Sequence, residues 1–317
     1  MLAVEEAEVH QSKTKKSDTF SAKFPTSGGI AAFLASADPK QLEAQVLING
    51  VPLCDGLVDH IDVNWASTSV SVSGRDKAAK LIDNLSSEKF LNQKPSEIVQ
   101  TIAGRRGLSA EVDSGGDNAG KIFKDTWDAI THRNSEWSVV QWLGDHFGMN
   151  AYMTGGKVYF KDVDEQLPAF RVTYSPPTPQ SYASGNFMTL ETTRSVILGR
   201  PVKTNVLSRH DKEKKTHTAQ EEKGGSGDPL IYNYVLPRAT QDQVKRIAKK
   251  KHKENTRHEF TVRVDMPGDE SVNVRMGLQL SGTGTAFDRL YELDGVEHRI
   301  SATGGYRMTL NGKAGSQ

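Results

Sequence analysis

A chain of 317 residues is long enough for two or three compact domains, and its 36% hydrophobic content, set in short ordered patterns, excludes disorder throughout. Forty basic and thirty-nine acidic side chains nearly cancel, which excludes a whole-chain field that would draw in a polyanion. Cys54 is the only cysteine, so an internal disulfide and a cysteine-based zinc cluster are excluded, and folding in a reducing cytoplasm fits.

Met1 to Lys16 is acidic, then basic, with no apolar signal core, so residues 1–17 read as a flexible arm. The longest apolar stretch, Ile30 to Ala35, falls far short of the roughly 20 residues that span a bilayer, and no membrane insertion is expected. From Asp18 to Asp76 the period is that of strands. Ala44 to Ile48 meets Val51 to Leu53 across Asn49-Gly50, a dipeptide that takes the positive φ angles of a tight hairpin. Ile61, Val63 and Trp65 then alternate with polar residues, as do Val70 and Val72, so each strand shows one face to a core and one to water.

The period changes at Gly74-Arg75-Asp76. Asp76 caps a short helix over Lys77 to Asp83, and Pro95 opens another over Ser96 to Arg106, ended by Gly107. A third helix, Glu136 to Phe147, carries Val139, Val140, Leu143 and Phe147 on one stripe and stops at Gly148. Asn150 to Met153 and Lys157 to Phe160 flank Gly155-Gly156 as a hairpin, so residues 77–162 read as an inserted α+β module.

Strands return with Phe170 to Tyr174, Met188 to Ile197 and Val202 to Leu207. Arg209 to Asp228 is charged and rich in Gly and Ser, and reads as a mobile loop. Thr240-Gln-Asp-Gln243 is a capping box opening a helix to about Asn255. Phe260 to Met266, Val272 to Leu280, Leu290 to His298 and Tyr306 to Leu310 close the chain as strands. The fold class is therefore α+β, mainly β: two antiparallel β-barrel domains, 18–76 and 163–317, with the module between them. Completion of the first barrel by strands after residue 162 stays open.

Two stretches resemble the late control D family of contractile-tailed phages and the Mu-like baseplate hubs. The first, Ala44 to Asp83, is a hairpin, a Gly-bearing strand, an alternating strand, and then Gly74, Arg75 and Asp76 opening a Leu-Ile-Asp helix. The second, Phe287 to Leu310, carries Tyr291, Val296, His298, Gly304 and Gly305 ahead of a Thr-Leu strand. Together with the helices between them, the resemblance spans about Asp18 to Leu310. It implies tail-tube-like barrels, two per subunit, in a homotrimer that adapts a sixfold tail tube to a threefold central spike around a channel. It further implies contacts with baseplate wedge and tape measure proteins, DNA only in transit, a place in the virion tail after assembly in the host cytoplasm, and no enzymatic activity.

Reactive groups offer little against this. On an alternating strand His60 and Asp62 share a face while Asp59 points away, giving two ligands where zinc needs three or four. His210, His217, His252, His258 and His298 lack metalloprotease spacing, Gly282-Thr-Gly284 lacks the third glycine of a dinucleotide loop, and Glu221-Glu222 lies in the polar loop. No catalytic, cofactor or metal residue is expected. The run Lys245, Arg246, Lys249, Lys250, Lys251 and Lys253 reads as a solvated helix face packed outside the barrel, with passing DNA or an acidic partner as the other reading. Trp65, Trp127, Trp137 and Trp142 read as core or interface anchors. Trp137 and Trp142 share a helix and are expected to serve different surfaces, and a cell-wall glycan-binding or peptidoglycan-acting tail protein, its tryptophans binding glycan, is the alternative function.

Overall fold

The computed structural model describes residues 4–13, 17–25, 28–36, 38, 42–86, 90, 93–114, 135–163, 167–210, 215–237 and 239–315. Trp127 lies outside them. Among the described residues the chain is mainly β with a smaller helical part, as its patterns predict.

Residues expected in a flexible arm instead form β1 (Glu6–Ser12), which pairs with β2 (Thr19–Pro25) on one side and with the late strand β17 (Leu290–Ser301) on the other. The pattern explains it: Ala7 and Val9 alternate with Glu6, Glu8 and His10, and the apolar pair is buried. A helix, α1 (Gly28–Ser36), precedes β3 (Glu43–Ile48) and the long β4 (Val51–Asn64). Between them Asn49 and Gly50 both adopt positive φ, 51° and 83°, the tight hairpin geometry. β5 (Ser69–Asp76) returns along β4, and Trp65 lies in the turn between them, 64% exposed, beyond the strand in which its alternation had placed it.

Next come α2 (Ala79–Asp83), α3 (Pro95–Arg105), β6 (Ser109–Val112), α4 (Glu136–Phe147), β7 (Asn150–Thr154) and β8 (Lys157–Lys161). Ser135 caps α4 by accepting from the Ser138 amide, and Gly148 ends it at φ 71°. Leu81, Ile98, Ile102, Val140, Leu143 and Phe160 share one buried cluster. Trp137 is buried in that cluster, and Trp142 flanks it, stacked on His146 with centroids 4.8 Å apart. Both tryptophans therefore serve one core, because a residue at the margin of an apolar stripe still packs along its side.

The last part holds β9 (Ala169–Ser175), β10 (Ser184–Gly185), β11 (Thr189–Arg194), β12 (Val202–His210), β13 (Lys215–Lys223), β14 (Leu230–Pro237), α5 (Gln241–Thr256), β15 (Phe260–Pro267), β16 (Gly277–Ser281), β17 and β18 (Gly305–Ala314). Of the segment expected as a mobile loop, residues 211–214 lie outside the described residues and Lys215–Lys223 is β13, paired in register with β12, with the Lys203–Glu222 ion pair at 3.0 Å and half-buried residues on alternate positions. Val272 to Met276, expected in a strand, is a turn whose valines are nonetheless buried.

The two closed barrels expected from the pattern are not closed. One twelve-stranded sheet runs β10-β9-β16-β17-β1-β2-β5-β4-β3, with β18, β15 and β11 continuing from the other side of β17. β17 explains the arrangement: its first residues pair with β16, and after an irregularity at Leu293/Gly295 the same edge pairs with β1. It also pairs with β18 along most of its length, and β18 reaches two apolar cores: Met308 and Leu310 lie in the core that β17 shares, and Tyr306 packs against another. One core gathers Val9, Phe20, Ile48, Leu53 and Cys54; the other gathers Phe260, Val264, Leu278, Tyr291, Val296 and Leu310. Gln11 bridges them, donating to the Leu53 carbonyl (3.2 Å) and accepting from the Val274 amide (3.3 Å). The pairing is antiparallel except at β9–β16, β6–β8 and β12–β14.

Candidate assembly surface

The eight residues singled out in the sequence fall into three places. Gly74, Arg75 and Asp76 end β5 where the sheet meets the inserted helices. A Cβ at Gly74 would sit 2.0 Å from the Leu57 carbonyl oxygen and 2.8 Å from the Phe20 ring; at Gly56 on β4 it would meet the Arg75 carbonyl at 2.3 Å and the same ring. The two glycines leave the space that Phe20 fills. Arg75 donates to Asp59 (2.7 and 3.0 Å) and to Asp83 (2.9 and 3.0 Å), clamping β4 to α2. These hydrogen bonds, Asp59 first, hold its guanidinium well above the usual range.

Asp76 is buried, and burial followed by the charge of Asp18 pushes its carboxyl up to about 7. Asp18, itself buried and raised by desolvation, accepts from the Ser12 amide (3.0 Å), the Thr154 hydroxyl (2.7 Å) and the Gly155 amide (3.0 Å). Gly156 donates to Asp76 at 3.2 Å. The β7–β8 turn thus docks its two glycine amides on two carboxylates of the sheet. Cys54 lies nearby, and burial, with Asp76 next, raises its thiol far above the reactive range.

Tyr291, Val296 and His298 lie along β17 with their side chains in the core. Tyr291 donates to the Phe287 carbonyl (3.0 Å), and burial pushes its phenol up to about 12. His298 Nδ1 lies 2.9 Å from the Tyr306 hydroxyl and Nε2 lies 3.1 Å from the Val272 carbonyl, while burial lowers its pKa. A neutral imidazole donating from Nε2 and accepting at Nδ1 from the tyrosine satisfies every partner. Gly304 and Gly305 make the β17–β18 turn, with Gly305 at φ 68°.

One extended polar face was not legible residue by residue, because it arises from register. Arg307, Arg299, Glu8, Ser21, Ser73 and His60 stand side by side across β18, β17, β1, β2, β5 and β4. The next row is Gly305, Ser301, Glu6, Lys23, Ser71 and Asp62. One whole face of six strands is therefore hydrophilic and of mixed sign, and the opposite face holds Val9 and Phe20 of the core. Glu8 is raised by partial burial and by Glu297 diagonally across. A bulge between Val58 and His60 turns Asp59 toward Arg75, so Asp59 and His60 line one shallow depression, contrary to the opposite faces expected of a regular strand. Among the described residues no group of three His, Cys, Asp or Glu side chains is placed to hold a metal ion.

The basic helix α5 also departs from its reading. Lys245 and Lys249 are exposed, but Lys250 is buried, donating to Asp145 and to the Met149 carbonyl at 2.8 Å each, and Lys253 pairs with Glu292. The helix lies between the β12–β14 sheet and α4, not outside the fold, because Val244, Ile247 and Ala248 bury against Val206 while Arg246 packs on Gly148. A cleft of about 270 Å³ beside it is lined by Lys13, Asp145, Lys253, Glu254, Glu292 and Asp294, among others. The Gly282–Gly284 segment is a turn, with the Asp288 carboxylate accepting from the Thr283 and Gly284 amides.

No family model and no curated protein matches this sequence. Solved structures do. The tail protein from Neisseria meningitidis MC58 superposes with a TM-score of 0.72 at 13% identity, covering 98% of this chain and 92% of that one. The prophage MuSo2 43 kDa tail protein from Shewanella oneidensis gives 0.69 at 14%, covering 98% and 94%. The E. coli c3393 protein, a type VI secretion component described as similar to the T4 tail proteins gp27 and gp5, gives 0.61 at 10%, covering 100% and 75%. At such identities the likeness establishes the fold: this chain has the fold of phage-type tail proteins along nearly its whole length.

Proposed function

We propose that the chain is the structural hub of a phage-type tail baseplate, a homotrimeric ring without enzymatic activity that joins a sixfold tail tube to a threefold spike. The observation that carries this reading is the shared β17–β18 pair. It gives one subunit two sheet-built lobes in fixed relation, so three subunits present six such units around an axis. The lobes are taken as approximate copies in shape, one built on β1 to β5 and the other on β9 to β11 and β15 to β16, both leaning on β17 and β18.

The hydrophilic face of six strands faces the channel in this assembly. Glu6, Glu8 and Glu297 alternate there with Lys23, Arg299 and Arg307, so a passing polyanion meets no continuous positive track to retain it. Partners are a tube protein, a central spike, baseplate wedge proteins and a tape measure protein, and the finished protein resides in the virion tail. Sedimentation of the purified protein together with negative-stain images tests the reading. A hollow ring built on three chains is expected, alone or as a face-to-face pair of such rings; a monomer under assembly conditions would overturn it.

A further inference from the structure

The chain blunts most of its sheet edges with charge. β3 opens on Glu43, β11 carries Glu191 and Arg194, and β13 carries Lys215, Glu221, Glu222 and Lys223. β7 is uncharged but packs against β1 and α4. β14 is different. It is the edge of the β13-β12-β14 sheet, its eight residues carry no charge, and Ile231 and Val235 are 57% and 73% exposed beside Leu207, the cross-strand neighbour of Val235.

Its sequence is also a near palindrome. Leu230-Ile231-Tyr232-Asn233-Tyr234-Val235-Leu236 reads the same in both directions, with Ile and Val exchanged. Antiparallel pairing of two such strands about Asn233 sets Leu on Leu, Ile on Val, Tyr on Tyr and Asn on Asn. Each pair is a favourable cross-strand match, and β-branched residues fill the outward face on both sides of the axis. The inward side is already fixed: Tyr234 donates to Asn255 at 3.2 Å and packs with Val206, Val244 and Ile247 under α5. Asn233 accepts from Asn205 at 2.9 Å, which aligns its amide on the outer face and leaves its own N–H groups to donate toward an identical amide across the axis.

We infer that β14 is a self-complementary docking strand, pairing antiparallel with β14 of a second copy of this chain about a twofold axis through Asn233. A twofold contact is isologous and closes on itself, so it is separate from the head-to-tail contacts of a ring and would join two rings, or two free chains, face to face. It removes an exposed apolar edge from solution until the partners of the tail are present.

Cysteine placement tests the register. Residues facing each other in an antiparallel pair have Cα atoms about 4.5–5.5 Å apart, within the span of a disulfide. Under mild oxidation Asn233→Cys is expected to form a dimer band, Ile231→Cys and Val235→Cys alone are not, and a mixture of those two is; native Cys54 is buried and gives no background. Asn233→Lys places two like charges on the axis and is expected to halve the assembled mass, whatever the number of chains in the unmodified particle, with an unchanged melting profile as the folding control. Absence of the Asn233→Cys band in folded protein, or a mass unaltered by Asn233→Lys, would overturn the inference. A wild-type particle of two chains that Asn233→Lys splits would retain this contact and sink the ring.

Discussion

Asp18, just ahead of β2, and Asp76, the last residue of β5, accept hydrogen bonds from adjacent amides of one turn, Gly155 and Gly156, at 3.0 and 3.2 Å. This is a polar tie between the sheet and the β7–β8 hairpin, and it is made of two buried acids, of which Asp18 raises Asp76. The Asp76 carboxyl has a folded value of about 7 against an ordinary 3.8. In that window the folded chain holds a proton that the unfolded chain releases, so stability is greatest below the unfolded value, falls as pH rises toward 7, and is flat above. The span corresponds to about 4 kcal/mol at roughly 1.4 kcal/mol per unit. His146, buried and lowered to about 4, works with the opposite sign below its ordinary 6.5. A comparison at matched pH cancels it. Relative to wild type, Asp76→Asn is therefore expected to gain urea midpoint steadily between pH 4.5 and 7.5. A constant difference across that range would show that Asp76 is ionised throughout.

Gly74 is expected to tolerate no side chain. With a Cβ 2.0 Å from the Leu57 carbonyl oxygen and against Phe20, Gly74→Ala must displace backbone or ring, at a cost of about 1–3 kcal/mol or more. Gly104 near the end of α3 has no atom within 4 Å of such a Cβ, and there alanine is expected to stabilise by about 0.5–1 kcal/mol. Chemical denaturation of both variants checks the contrast. Equal effects would mean that the close approach at Gly74 relaxes freely.

Local chemistry was legible in the sequence where one residue type settles the backbone. Asn49-Gly50, Pro95, Gly148 and the Thr240–Gln243 box all mark their elements to within a residue or two. Pattern failed where polar residues carry a strand. β13, KTHTAQEEK, has no apolar alternation because its outer face is solvated and its inner residues are only half-buried. β14, though apolar, went unmarked beside it. The sheet's continuity through β17 was hidden for another reason: a strand that changes partner midway leaves no local trace, and only β1, whose short alternation sits in an acidic and basic arm, shows that such a partner exists. The hydrophilic face followed from register, which sequence alone does not supply.

Glu259 is wholly buried between Lys223, itself buried, and Arg194, which is about half exposed and donates at 3.1 and 3.2 Å. Lys223 also donates to the Leu198 carbonyl at 3.0 Å, so this group joins β13, β11 and the start of β15. Lys223→Met strands a buried carboxylate and is expected to cost about 3–5 kcal/mol, whereas the double variant with Glu259→Leu is expected to cost clearly less than the sum of the singles. Arg194→Ala, removing a partner open to solvent, is expected to cost about 1 kcal/mol or less. Additive single and double effects would sever the pairing.

The same logic separates neighbours on α5. Lys249 is exposed, while Lys250 is buried and donates to Asp145 and the Met149 carbonyl, fastening α5 to the end of α4. Lys250→Met keeps the apolar stem but leaves the Met149 carbonyl and Asp145 without that donor, and is expected to cost about 1–3 kcal/mol. Lys249→Met is expected to stay within about 0.5 kcal/mol. If the run acted as one solvated basic face, both would behave alike, and both would lower retention on a DNA column by similar amounts. Under the packing seen here only Lys249→Met and Lys245→Met alter retention, while only Lys250→Met shifts the thermal midpoint. A Lys250→Met protein of wild-type stability would show that α5 is held by its apolar stripe of Val244, Ile247 and Ala248 alone.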